Sequence, residues 1–103
     1  MNISKNNFNN KCYNIVLHIP KGKVSTYKEI AKALNTRAYR AVGNAMSKNP
    51  NLISTPCHRV VRSNASIGQY VLGVTKKINL LLNEGVFIKK GKVVNFKDII
   101  HKF

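Results

Sequence analysis

Pro56-Cys57-His58-Arg59 sets a thiol directly beside an imidazole and a guanidinium, on a stretch whose backbone path proline narrows. Cationic surroundings and an adjacent base favour the thiolate, the form in which sulfur attacks carbon. Neighbouring side chains often point apart, so the tetrapeptide alone leaves an inert Cys57 open. A second hint lies at Glu84, which ends an apolar pattern that reads as a helix. A carboxylate there faces the negative end of the helix dipole, where Lys or Arg is preferred. Either Glu84 pairs with a surface lysine, or it orients a histidine in the manner of a Cys-His-acid triad. The other cysteine, Cys12, falls in an amphipathic pattern and reads as a small core residue. With no CxxC pair and no paired histidines, neither a disulfide scaffold nor a metal site is expected, and no cofactor motif is present.

These residues need elements to hold them. Phe8, Cys12, Ile15, Val16 and Ile19 recur at helical spacing until Pro20 and Gly22, which predicts a first helix of about three turns. Thr26-Tyr27-Lys28-Glu29 has the form of a capping box, opening a second helix with Tyr27, Ile30, Ala31 and Leu34 on one face. After a break at Asn35-Thr36, a third helix carries Ala38, Ala41, Val42, Ala45 and Met46 to about Lys48-Asn49-Pro50. Its small residues Ala38, Ala41, Gly43 and Ala45 would allow close approach to a surface, and Arg37, Arg40 and Lys48 supply cations; tight helix packing would explain the alanines as well. Two short helices joined by a tight turn suggest a helix-turn-helix. Residues 55–62 run from loop into a short strand. Val74, Ile78, Leu81 and Leu82 define a fourth helix closed by Gly85, and residues 86–96 read as a hairpin shaped like a wing. The fold class expected is mainly α with a small β component, a winged helix-turn-helix-like helical bundle.

The 103 residues suit one domain, with residues 1–7 as a flexible segment and 8–103 as the folded unit. Lys and Arg number 18 against 3 acids, a formal charge of +15. Such an excess points to a polyanionic partner. Nucleic acid fits better than a membrane, because no segment joins a basic face to a Trp- or Phe-rich one. No long apolar run and no apolar leader occur, so an intracellular protein is expected, cytoplasmic or, in a eukaryote, nuclear.

The ordered set Thr26-Tyr27-Lys28-Glu29-Ile30-Ala31, Arg40-Ala41-Val42-Gly43-Asn44-Ala45-Met46, Asn49-Pro50, Pro56-Cys57-His58-Arg59-Val60-Val61 and Glu84-Gly85 closely resembles the C-terminal domain of the O6-alkylguanine-DNA alkyltransferases. The resemblance spans roughly residues 8 to 88. It implies irreversible transfer of an alkyl group from O6-alkylguanine in double-stranded DNA, by a monomer bound in the minor groove. By the same resemblance Cys57 is the acceptor, His58 the base acting through a water, and Glu84 the carboxylate orienting His58. Tyr27 is the proton donor to guanine N3, and Asn49 braces the active-site loop. Arg40 is the finger filling the place of the flipped base, with Arg37, Ala41, Gly43 and Thr26 beside it at the DNA surface. Met46, Val60, Tyr70 and Val71 form the base pocket, in which the Cys57 and Val60 carbonyls read the guanine amino group and the Val71 amide meets O6. The physical logic agrees, since an O6-alkyl carbon in a stacked duplex faces the major groove and the base must leave the helix to meet a thiol approaching from the minor groove.

The chain departs from the family pattern in three ways. The family usually carries a folded domain ahead of this one, and here almost nothing precedes the first helix. Leu72-Gly73 stands where a Gly-Gly pair is usual, and Leu52 where a second proline is often seen. Two other functions compete with alkyl transfer: a non-enzymatic alkyltransferase-like lesion sensor, a class that lacks the acceptor cysteine, and a small winged-helix regulator with no lesion chemistry.

Overall fold

A computed structural model describes residues 3–103, in the order α1 (Ile3–Val16), β1 (Ser25–Thr26), α2 (Tyr27–Ala33), α3 (Tyr39–Ser47), a 3-10 turn (Cys57–Arg59), β2 (Val60–Val61), α4 (Val74–Asn83), β3 (Ile88–Lys89), β4 (Lys92–Val93) and α5 (Phe96–Ile99). Helix α1 begins before Phe8, where the apolar periodicity starts. Of the segment expected to be flexible, Met1 and Asn2 lie outside the described residues. The architecture is mainly helical with a small β component, as the apolar patterns indicate; the β component is two small strand pairs.

Helices α1, α2 and α3 pack around one apolar cluster that includes Cys12, Val16, Ile30, Ala31, Val42, Ala45 and Met46. Tyr13 on α1 donates its hydroxyl to the Ala45 carbonyl of α3 at 2.8 Å, fixing the two helices in register. At the start of α2 the Thr26 hydroxyl accepts from the Glu29 amide at 3.0 Å, the first half of the expected capping box. The return bond from the Glu29 carboxylate is not among the hydrogen bonds of the described residues; Thr26 also ends β1, in register with Val61. Asn35 takes the left-handed conformation, φ 60°, and turns the chain between α2 and α3.

Pairing of β1 with β2 is parallel, with Ser25 opposite Val60 and Thr26 opposite Val61. Successive strand residues face opposite sides, and here they serve different cores. Val60 enters the α1–α3 cluster, whereas Val61 joins Val24, Leu81, Val86 and Val93 in a second one. Each such fully buried valine contributes roughly 1.5–3 kcal/mol of transfer free energy. The second cluster is completed by the antiparallel β3–β4 hairpin, Ile88 opposite Val93, and by Phe96 and Ile99 around α5.

Helix α4 corrects the expected face. Val74 and Leu82, read as apolar anchors, are 46% and 42% exposed, while Leu81 and Lys77 are fully buried. Lys77 stands four residues before Leu81 and therefore on the same side of the helix. Glu84 caps α4, and Gly85 follows at φ 84°.

Candidate functional site

Strands β1 and β2 leave their pairing at the same end, β1 into Tyr27 and β2 into Arg62. Both residues line a cavity of about 560 Å³ that opens onto Cys57. Helix α3 supplies one wall with Tyr39, Arg40, Gly43, Asn44, Met46 and Ser47, and the segment before α4 supplies the other with Gln69, Tyr70 and Val71. Gly68 lets that segment pass close to Tyr27. A β-carbon at position 68 would stand 3.4 Å from the Tyr27 hydroxyl, and the backbone there has φ 75°.

The local chemistry of the sequence fixes the Cys57 turn. Pro56 has φ −78° and ψ 62°, and the Cys57 amide donates to the Thr55 carbonyl at 2.7 Å. This is an inverse γ-turn, whose φ the proline ring already imposes. Asn49 is buried behind it. Its Nδ2 donates to the Thr55 carbonyl at 2.9 Å and to Cys57 Sγ at 3.3 Å, while its Oδ1 accepts from the Asn51 amide at 3.0 Å.

His58 is buried, with Nε2 3.0 Å from Glu84 Oε2. Arg59 grips the same carboxylate, Nε to Oε1 at 2.9 Å and Nη2 to Oε2 at 2.7 Å, and donates Nη1 to the Ile19 carbonyl at 2.8 Å. Glu84 therefore pairs with a fixed arginine and a histidine, not with a surface lysine. Burial would raise its pKa, but the bonds from Arg59 and His58 outweigh burial and hold it below the ordinary carboxylate value. Burial pushes the His58 pKa down, against the pull of Glu84. A neutral ring next to a carboxylate carries its proton on Nε2, which leaves Nδ1 as an acceptor. Nδ1 has no protein partner among the described residues.

One expectation about Cys57 needs correction. Burial pushes its thiol pKa up, and the Asn49 hydrogen bond and the Lys77 charge offset this only in part. The adjacent Arg59 is committed to Glu84, so the resting group is a thiol that needs a base. Burial likewise raises the Tyr27 hydroxyl, and the charge of Arg62 opposes that rise.

The structure thus brings Cys57, His58, Glu84, Tyr27 and Asn49 together. Met46, Tyr70 and Val71 line the cavity, as do Arg40 and Gly43. Ala41 is half-buried on α3. Arg37 lies apart, beside a shallow groove with Lys28 and Lys32. Two assignments are corrected. Thr26 is 2% exposed, with its hydroxyl used as a helix cap, so it offers nothing to a DNA surface. The Val60 side chain is in the core and does not line the cavity, and its carbonyl accepts from Lys77 Nζ at 2.7 Å. Leu72 is not among the residues at positive φ, whereas Gly73 sits at φ 95°, so the non-glycine residue falls where the backbone tolerates one.

Sequence reasoning missed Arg59 as the partner of Glu84 and Lys77 as a buried cation. For Lys77 a signal existed, its helical spacing from Leu81, but the rule that lysine faces water overrode it.

Residues 7–86 match the family described as 6-O-methylguanine DNA methyltransferase, DNA binding domain. A methylated-DNA--protein-cysteine methyltransferase of Sulfolobus acidocaldarius is 48% identical over 84 residues, which cover 82% of this chain and 53% of that protein. The crystal structure of the O6-methylguanine-DNA methyltransferase of Pyrococcus kodakaraensis superposes with a TM-score of 0.72 at 48% identity, covering 77% of this chain and 46% of that one. The chain thus spans about half the length of these methyltransferases. S. pombe Atl1, solved in complex with damaged DNA containing O6-carboxymethylguanine, matches at TM-score 0.81 and 33% identity over 95% of this chain and 97% of its own. The cysteine turn, the buried His-Glu pair and these likenesses agree, and the chain belongs to the 6-O-methylguanine DNA methyltransferase family, in the part described as its DNA-binding domain.

Proposed function

We propose that the protein repairs DNA by moving an alkyl group from O6-alkylguanine to Cys57 in a single irreversible step. The observation that carries this reading is the buried His58–Glu84 pair next to Cys57, which itself lines a cavity of about 560 Å³ with room for a base. DNA is bound as a duplex, by a monomer, with α3 in the minor groove, and the damaged base turns out of the stack into the cavity. Support comes from the net charge of +15 and from Arg40, exposed on α3, with Arg37 and Lys48 exposed just beyond its two ends. Arg40 fills the vacated space, which helps offset the few kcal/mol that unstacking costs. The site of action is wherever the DNA is, the cytoplasm or, in a eukaryote, the nucleus.

In the reaction His58 Nδ1 takes the thiol proton through a water, and Glu84 stabilises the resulting imidazolium. Sulfur then attacks the alkyl carbon. The S–C bond forms as the C–O6 bond breaks, and its electron pair returns to the guanine ring. Tyr27 passes its hydroxyl proton to N3, so guanine does not depart as a bare anion, and the proton held by His58 later restores the phenol. The product is a thioether without an electrophilic carbonyl, so water has no route to release it, and no cofactor or metal is required.

Likeness to Atl1 over 97% of its length favours a second reading, in which the lesion is bound but not transferred. Mass spectrometry after incubation with excess O6-methylguanine duplex decides between the two. Transfer adds one methyl group, on the peptide containing Cys57, and stops at one equivalent; Cys57→Ala gains nothing. Tight lesion binding by the unaltered chain without any gain in mass would establish the sensor reading instead.

A further inference from the structure

Of the four tyrosines, Tyr13, Tyr27 and Tyr70 pack against the α1–α3 cluster, whereas Tyr39 belongs to neither apolar cluster and is 46% exposed. A single exposed aromatic is ordinary on a protein surface. What sets Tyr39 apart is its place. It opens α3 directly before Arg40, and it lines the cavity that holds Cys57. It also borders two shallower grooves, one along α2 with Lys28, Lys32 and Arg37, the other with Lys28, Arg62 and Asn64. Tyr39 is the residue common to all three, and no acidic side chain lines any of them.

The backbone that presents this ring is held. The Tyr39 amide donates to the Arg37 carbonyl at 2.8 Å, the Ala38 amide to the Thr36 hydroxyl at 3.2 Å, and the Val42 amide to the Ala38 carbonyl at 3.1 Å. A tyrosine has fewer torsions to order than Lys or Arg, so it offers a large contact face at low entropic cost. Consecutive residues of a helix point about 100° apart. Tyr39 and Arg40 therefore reach different places at the same surface.

A base turned into the cavity makes a demand on the strand that carries it. The bases on either side each lose a stacked neighbour, and the backbone must run from the mouth of the cavity across the protein. A cationic groove that follows phosphates, beside an aromatic face on which a base can lie, is the arrangement that holds unpaired strands. Both features meet at Tyr39.

We propose that Tyr39 is a stacking residue of the DNA interface: its ring takes the face of a base next to the extruded one in the damaged strand, while Lys28, Lys32 and Arg37 hold that strand's phosphates in the adjoining groove. Arg40 occupies the emptied position, and Tyr39 covers the neighbour that the flip exposes. The two side chains together offset the loss of stacking. The ring gains its partner only when the stack is open, so it favours damaged over intact duplex.

The inference rests on a flipped base, but its test is separate from that of alkyl transfer, which is read as mass gained on Cys57. In a Cys57→Ala background, where the lesion is not consumed, fluorescence anisotropy compares O6-methylguanine duplex with undamaged duplex of the same sequence. Adding Tyr39→Leu, of similar bulk but without an aromatic face, is expected to lower the preference for the lesion roughly tenfold, the order of one base–aromatic stack. Tyr39→Phe should restore it, which a merely structural effect of the hydroxyl or of the fold would not predict. A preference that Tyr39→Leu leaves intact, or that Tyr39→Phe fails to restore, would overturn the proposal; a Cys57→Ala chain with no preference at all would remove the flipping reading with it. The unaltered tyrosine covers the case in which a variant does not fold. Duplex with iodouracil beside the O6-methylguanine, irradiated in complex with the Cys57→Ala chain, should cross-link to Tyr39, located by peptide fragmentation. Cross-links only from an iodouracil opposite the lesion, or only to other residues, would also overturn it.

Discussion

Arg59 and Glu84 meet as a two-pronged pair, Nε on one carboxylate oxygen and Nη2 on the other, and His58 shares the second oxygen. Planar guanidinium and carboxylate match in this geometry, which an ammonium does not reproduce. Arg59→Lys should therefore cost about 2 kcal/mol of stability, the order of a charge-assisted hydrogen bond. Glu84→Gln should slow methyl transfer from duplex and from free O6-methylguanine alike, because both need an oriented His58. Urea unfolding checks the first statement and single-turnover rates on the two substrates the second. A Glu84→Gln chain as fast as the original on both would remove Glu84 from the relay.

Acid lability should start well above the carboxylate range. The folded-state pKa of His58 is lowered by burial, so the unfolded chain takes up a proton below about pH 6.5 that the folded chain refuses. Stability then falls as pH drops from that value through the folded one. Glu84, also lowered, contributes stability above about pH 4.3 that is lost as pH falls through its folded value. Urea midpoints at pH 7 and pH 5 should differ in the original chain and much less in His58→Gln. Equal differences in the two would contradict the assignment.

Arg40 is exposed at the mouth of the cavity, away from the thiol relay. Arg40→Ala should impair repair of duplex DNA by tenfold or more, about 1.4 kcal/mol, while leaving reaction with the free base nearly intact. Similar losses on both substrates would count against a role in flipping.

Duplex binding should depend steeply on salt and little on sequence. Four to six phosphate contacts correspond to a slope of log affinity against log salt of roughly −4 to −5. Fluorescence anisotropy across a salt series measures it, and a flat line would be incompatible with phosphate-led binding.

Much of the site was legible because its signals are local. Proline before Cys57, the Thr26 cap and the end of a helix at Glu84-Gly85 are written in consecutive residues, and each has a conformational meaning of its own. What escaped was long-range. Strand β1, the partner of the short strand expected within residues 55–62, is two residues, too short for alternation to show, and exists only because residues 25–26 and 60–61 meet in space. Helix α5 is four residues that begin where the stretch read as hairpin ends, and its place depends on Val24 bridging to Ile100. Lys77 shares a helix face with Leu81, but what satisfies its charge there, the carbonyls of Val60 and Gln69, comes from other elements and no spacing rule reveals it. Thr26 and Val60 were placed at the surface and the pocket for a related reason: the resemblance names positions, but whether a side chain is spent on a cap or a core depends on its neighbours.

Val60 and Val61, facing opposite cores from adjacent positions, give the cavity walls unequal stiffness. The wall bearing Cys57 cannot open without disturbing both apolar clusters at once, so its amides should exchange with solvent only through near-complete unfolding. The facing wall ends in Val71 and Leu72, half exposed and outside either cluster. The two walls thus differ as an anvil that does not yield and a jaw that does: Cys57 stays fixed while the far side can move.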